Sequence, residues 1–206
     1  MFDTFVISLI NADAGQHSRY ARDRLYKTLS SCQRHDWTVT VFDAVNGYKI
    51  DPTVWTTIGV KQPKKKLGSV GKFGDKPGAH GCFLSHFFLW QKVMTDQKPI
   101  IVLEDDAEII APMPIIMQDH FDVIKLHAPR QKCFHSTVGE WSPCTFAYYI
   151  SVKGAAKLIA WTKINGAKYT DKLIGSNIVH WTYLESPAVK LRAHQGSSTD
   201  PIRHPY

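Results

Sequence analysis

The chain has 206 residues, 44% of them hydrophobic and 12% aromatic, and carries a formal net charge of +7. Those numbers suit a single domain over residues 1–206 with a sizeable core. They exclude a membrane-spanning helix, because no run approaches the roughly 20 consecutive apolar residues that one needs. The basic balance favours acidic partners: nucleotides, phosphorylated glycans, nucleic acid or an anionic membrane surface. A merely soluble basic protein is the plainer reading of the same charge.

The opening "MFDTFVISLINAD" has no basic leader and no small-residue cleavage site, so it reads as a strand over Thr4–Ile10 and not as a signal peptide. Asn11 to Gly15 form a polar turn. Ala21, Leu25 and Leu29 then recur at helical spacing, with Arg19, Arg22, Arg24 and Lys27 among the polar positions. Trp37–Val45 is a second strand, closed by the turn signal Asn46-Gly47. Strand, helix and strand in this order predict a right-handed parallel βαβ unit.

From residue 48 to 77 the pattern dissolves into prolines, glycines and lysines, including Lys64-Lys65-Lys66. A stretch this long predicts a basic, flexible loop. Order returns at Gly78. Phe83, Phe87, Trp90 and Met94 share one helical stripe, and Cys82, His86, Leu89 and Val93 share another. A helix apolar nearly all round is a buried one. Pro99 breaks it, and "IIVL" follows as a central parallel strand, apolar on both faces. Phe121–Leu126 and Thr145–Ser151 read as two more strands. Ser151 is placed to cap the helix "VKGAAKLIAWTK". Ala188–Arg192 is a last short strand.

The four cysteines, Cys32, Cys82, Cys133 and Cys144, form no CxxC pair. Reduced thiols in a cytoplasm are the simplest account. Cys133, His135 and Cys144 fit no standard structural zinc spacing.

The chemistry concentrates where "IIVL" runs into three consecutive carboxylates, Glu104, Asp105 and Asp106. Open α/β sheets bind ligands beyond the carboxyl ends of their strands. On an extended backbone Glu104 and Asp106 point one way and Asp105 the other. Two carboxylates ~5 Å apart repel by about 3 kcal/mol at an effective dielectric of ~20. A divalent cation offsets that repulsion, and oxygen ligands suit Mg²⁺ or Mn²⁺, with nucleotide diphosphate oxygens completing its shell. The plainer reading is that the acids cap a helix or pair with surface lysines.

Four blocks resemble glycosyltransferase family 25. They are "FVISLINADAGQHSRYARDRL", "VFDAVNG", "GAHGCFLSHFFLW…IIVLEDDAEI" and "CTFAYYISVKGAAKLI". The resemblance implies an α/β, GT-A-like (Rossmann-like) nucleotide-diphosphosugar transferase fold with a mostly parallel central sheet flanked by helices. It implies an inverting transferase with a UDP-sugar donor, Mn²⁺ (or Mg²⁺) as cofactor and a glycan acceptor; the expected location is the cytoplasm, at most peripheral to the inner membrane face. The first block would bring Leu9, Asn11, Arg19 and Arg22 to the donor, and the second Ala44 and Gly47. From the third, Gly81, Ser85, His86, Glu104 and Asp105 would line the nucleotide, Gly81 and Gly78 by close backbone approach. Glu104 and Asp106 would hold the metal, with His194 adding a late contact. Asp171 matches the family's usual aspartate as general base, although Tyr169-Thr170 stands where relatives carry Pro-Val. Glu140 is the second choice and Asp200 the third. Other readings are a transferase acting on modified bases of DNA, a catalytically silent sugar-nucleotide-binding module, and a metal phosphodiesterase, for which too few ligands are found.

Overall fold

The computed structural model describes residues 2–10, 16–63, 73–116, 120–129 and 144–192, with the side chains of 16–19 and 75 excepted. Strand β1 (Asp3–Ser8) leads into helix α1 (Gln16–Arg34) and strand β2 (Thr40–Asp43). A short helix α2 (Thr53–Thr57) and a 3-10 turn (Phe73–Asp75) precede α3 (Pro77–Asp96). Strands β3 (Ile100–Glu104), β4 (Ala107–Ile109), β5 (Val123–Lys125) and β6 (Ala147–Ile150) follow. Helices α4 (Val152–Asn165) and α5 (Thr170–Ile174) and strands β7 (Trp181–Tyr183) and β8 (Val189–Leu191) close the order.

Six strands form one sheet in the order β2-β1-β3-β6-β5-β7. The β1–β2, β1–β3 and β5–β7 pairings are parallel, as the βαβ reading expects. β6 alone runs against both its neighbours, β3 and β5. The carboxyl ends of β1, β3 and β5 therefore share one edge with the start of β6.

The central strand is buried on both faces, which is why it reads as a continuous apolar run. Ile100 and Val102 join the layer built on α3, α4 and Trp55. Ile101 and Leu103 join the layer of Leu25 and Cys32 from α1 with Ile109 and Val189. Helix α3 fits its all-round apolar pattern: Phe83, Leu84, Phe87, Leu89, Trp90 and Val93 have no solvent exposure. Pro77 opens it, and Gln97 closes it in the left-handed conformation (φ 51°). Ser151 caps α4 as expected, its hydroxyl accepting from the Gly154 amide at 3.0 Å.

Several expectations are corrected. The stretch 48–77 is not one long loop. Val54, Trp55, Ile58 and Val60 carry it onto the core, and Trp55 stacks on Phe83 at 5.9 Å. The lysines at 64–66 lie outside the described residues. The last short strand is present as β8, and it pairs antiparallel with β4 as a separate ribbon. β4 and β7, three residues each, were not foreseen. Cys144 is disulfide-bonded, whereas Cys32 and Cys82 are free thiols. A disulfide needs only Cα atoms some 4.4–6.8 Å apart, which folding supplies and sequence spacing does not report. Among the described residues no helix is long and apolar enough to cross a membrane.

Candidate active site

A cleft opens at the carboxyl edge of β1 and β3, between the loop after β2 and the first turns of α3. Leu9, Ala44 and Gly47 line it on one side, Cys82, Ser85 and His86 on another, and the three acids form its floor. Two glycines set the shape. A Cβ on Gly81 would lie 2.3 Å from the Val45 carbonyl oxygen and 2.7 Å from the Gly47 nitrogen. A Cβ on Gly47 would meet the Pro77 carbonyl in the same way. Gly81 was expected to admit a ligand's close approach, but what it admits here is the chain's own 45–47 backbone. Ser85 locks that contact: its hydroxyl accepts from the Val45 amide at 2.9 Å and donates to the Gly81 carbonyl at 2.8 Å.

The three acids have separate environments. Glu104 ends β3 on the α3 side. Its Oε1 accepts from the Thr145 hydroxyl at 2.7 Å and lies 3.4 Å from His86 Nε2. Burial pushes the Glu104 carboxyl up, but His86 and Thr145 outweigh it, and the net shift is downward.

Asp105 faces α1 instead, as strand alternation predicts. It accepts from the Ser8 hydroxyl at 2.9 Å and from Arg24 Nη2 at 3.3 Å, with Arg24 Nε 3.1 Å from its other oxygen. Burial still raises its carboxyl above the usual range against the pull of Arg24 and Ser8. This buried ion pair anchors the acid turn to α1.

Asp106 lies in the turn beyond the strand, so extended-strand alternation does not carry through to it. Its carbonyl accepts from the Arg192 amide at 3.0 Å, tying the turn to the end of β8. Its Oδ1 is buried with no hydrogen-bond partner. Burial, Glu104 and then Asp105 push its carboxyl up to about 7.

The rim continues across β6 and β5. Asp171 sits in the first turn of α5, where burial and then the charge of Glu104 raise its carboxyl, while Lys125 opposes the shift. The Lys125 ammonium is buried 4.5 Å from the Trp181 ring centre, and burial brings it down to about 8. Cys82 approaches the Thr170 hydroxyl at 3.9 Å, and burial followed by the charge of Glu104 holds its thiol well above the ordinary range.

The residues fit a divalent cation. An orphaned, buried carboxylate oxygen on Asp106 beside Glu104 is what a hard cation satisfies. Cys82, His86 and Glu104 also bring one donor atom each within 4.8 Å of one another, a softer set.

Not every expected residue is gathered here. Arg22 is exposed on α1. Asn11, Glu140, His194 and Asp200, with Cys133 and His135, lie outside the described residues, as does the side chain of Arg19. Arg24, Ser8, Thr145, Tyr148 and Lys125 were not singled out by sequence reasoning. Lys125, a lysine in an otherwise apolar strand, was the one signal available.

The sequence profile of "Glycosyltransferase family 25 (LPS biosynthesis protein)" matches residues 1–137, well over half of the chain. The chain belongs to glycosyltransferase family 25. Its α/β architecture has the mostly parallel central sheet flanked by helices that the family resemblance implied.

Among its family 25 relatives, a bovine (Bos taurus) protein described as a probable inactive glycosyltransferase 25 family member 3 is 28% identical over 179 residues. That match covers 77% of this chain and 28% of the relative. Procollagen galactosyltransferase 1-B of Xenopus laevis is 26% identical, over 76% of this chain and 28% of the relative. The chain thus spans under a third of the length of either relative. A glycosyltransferase involved in the glycosylation of the major capsid of PBCV-1 aligns structurally with a TM-score of 0.47 at 10% identity, covering 89% of this chain and 81% of that one.

Proposed function

We propose that this family 25 chain is an inverting, metal-dependent glycosyltransferase moving galactose or glucose from a UDP-sugar to an acceptor hydroxyl on a cell-surface glycan such as a lipooligosaccharide. Asp106 carries the reading. Its buried Oδ1 has no partner, and its carboxyl is pushed up to about 7 beside Glu104, at the rim where open α/β sheets take their ligands. Glu104 and Asp106 would hold Mn²⁺ or Mg²⁺, which when bound supplies positive charge against the diphosphate.

The chain's own groups do the rest. Asp171 takes the proton of the acceptor hydroxyl, and its raised carboxyl has the added basicity a general base needs. The acceptor oxygen bonds to C1 of the sugar as the bond from C1 to the diphosphate oxygen breaks. Attack opposite the leaving UDP inverts C1. Leu9, Ala44 and Gly47 offer the wall for the nucleotide.

The test is nucleotide release from a panel of UDP- and GDP-hexoses with Mn²⁺. One UDP-hexose should be turned over, and Asp106→Asn should lower kcat/KM by about a hundredfold or more. If no donor is bound or turned over, the reading fails, and an Asn variant equal to the wild type removes the metal role.

A second reading is a module that binds a sugar nucleotide without transfer, favoured by the description of the bovine relative as probably inactive. Donor binding with no release from any acceptor mixture would establish it. A nucleic-acid acceptor draws only on the +7 charge, and salt-dependent duplex binding separates it from a glycan acceptor.

A further inference from the structure

Behind Glu104 lies a chain of three buried polar side chains from α3 and β6. Trp90, Tyr148 and His86 have no solvent exposure. Trp90 Nε1 donates to the Tyr148 hydroxyl at 3.1 Å, and His86 Nδ1 lies 2.7 Å from the same hydroxyl. His86 Nε2 is buried with no hydrogen bond of its own, and Glu104 Oε1 stands in front of it at 3.4 Å.

The direction of these bonds follows from counting protons. An indole N–H only donates, so the Tyr148 oxygen is an acceptor toward Trp90. Tyr148 keeps one proton, and among the described residues His86 Nδ1 is the only acceptor within reach. If that proton goes to Nδ1, the ring's own proton sits on Nε2 and faces a carboxylate oxygen. If Nδ1 instead carried a proton, in the neutral ring or the imidazolium, the Tyr148 proton would be buried without an acceptor. The neutral ring would also set the Nε2 lone pair against Glu104. Both are costs that folded interiors avoid.

We infer that Tyr148 is a positioning residue that fixes His86 as the Nε2–H tautomer, setting that N–H against Glu104 Oε1 at 3.4 Å and keeping His86 out of any metal's coordination sphere. His86 and Thr145 then both engage Oε1, so Glu104 presents Oε2 to the cleft. Cys82, His86 and Glu104 lie close enough to hold a thiophilic ion, yet the histidine has no lone pair free for it. Tyr148 thereby biases the cleft toward hard, oxygen-liganded cations. The tautomer stands without the transferase reading, and only the cation preference rests on it.

The experiment is long-range ¹H–¹⁵N correlation of the histidine rings in the metal-free protein, with His86→Gln identifying the His86 signals. The expected pattern is a protonated Nε2 and a bare Nδ1. Tyr148→Phe should shift the ring to Nδ1–H or to an averaged pattern. In calorimetry it should tighten Zn²⁺ binding about tenfold, the order expected from freeing the ring of one buried hydrogen bond. Mn²⁺ binding should stay within about threefold. A wild-type ring protonated at Nδ1 or at both nitrogens overturns the tautomer, as does an unchanged ring in Tyr148→Phe. Unchanged Zn²⁺ binding with a changed ring overturns the cation preference alone. Loss of donor turnover with the expected tautomer in place would count against the function and not against this inference. If Tyr148→Phe does not fold, the wild-type spectrum still decides the tautomer.

Discussion

Asp106 and Asp105 are neighbours whose carboxyls are both raised by burial, but only Asp105 has a cation beside it. Asp106 holds its proton up to about pH 7, far above its unfolded value of 3.8. The folded state therefore binds that proton more tightly than the unfolded chain. Stability is lost as pH rises from about 4 to 7, and the cost is complete above 7. Asp106→Asn should raise wild-type stability by more than about 1 kcal/mol at pH 8, with the gain fading by pH 5. Urea unfolding at the two pH values checks this, and a variant less stable than wild type at pH 8 contradicts it. Asp105 is also raised by burial, but its charge is matched by Arg24. Arg24→Met leaves a buried carboxylate unpaired and should cost about 3 kcal/mol at pH 7.5. Adding Asp105→Asn should recover part of that loss, as a double-mutant cycle will show. The acid cluster was legible in the sequence because its members are contiguous. Its partners were not: Arg24 meets Asp105 across 81 residues, and Tyr148 meets His86 across 62. No local spacing encodes such pairs.

The long helices were the most legible elements. Helices α1, α3 and α4 show the 3.6-residue period over 14 or more residues. β4 and β7 are three residues long and were missed, whereas β5 and β8, equally short, were read. The segment holding α2 was misread because its prolines and lysines outnumber the three or four apolar residues that seat it. Trp55→Ala should cost about 3–5 kcal/mol, the range for a buried aromatic, whereas a solvated loop would tolerate it. The packing of α3 on the 45–47 loop is a sharper case. Gly81→Ala forces a Cβ to within 2.3 Å of a backbone oxygen with no flexible side chain to give way. It should weaken UDP binding by tenfold or more, since about 1.4 kcal/mol of loop displacement suffices. Titration of UDP into both proteins tests this, and equal affinity would show that the loop does not shape the nucleotide wall.

At the scale of the molecule, the sequence revealed the class of fold but not the path of every strand. The parallel half was readable from strand-helix-strand order. The reversal at β6 was not, since an apolar strand looks the same in either direction. The thiols are likewise a property of the whole chain. Peptide mapping after alkylation of the denatured, unreduced protein should label Cys32 and Cys82, and Cys144 only after reduction. Labelling of Cys144 without reduction would restore the reading of reduced thiols throughout.

The reversed strand has one more consequence. β6 pairs with β3 on one side and β5 on the other, and its lead-in supplies Thr145 to Glu104. It acts as a weld between the half of the sheet under the acids and the half under Asp171 and Lys125. A slip of one residue would send its inward side chains to the opposite face, so the weld has no intermediate setting. The two sides of the cleft therefore keep a fixed span. The width of the opening is decided when the sheet forms.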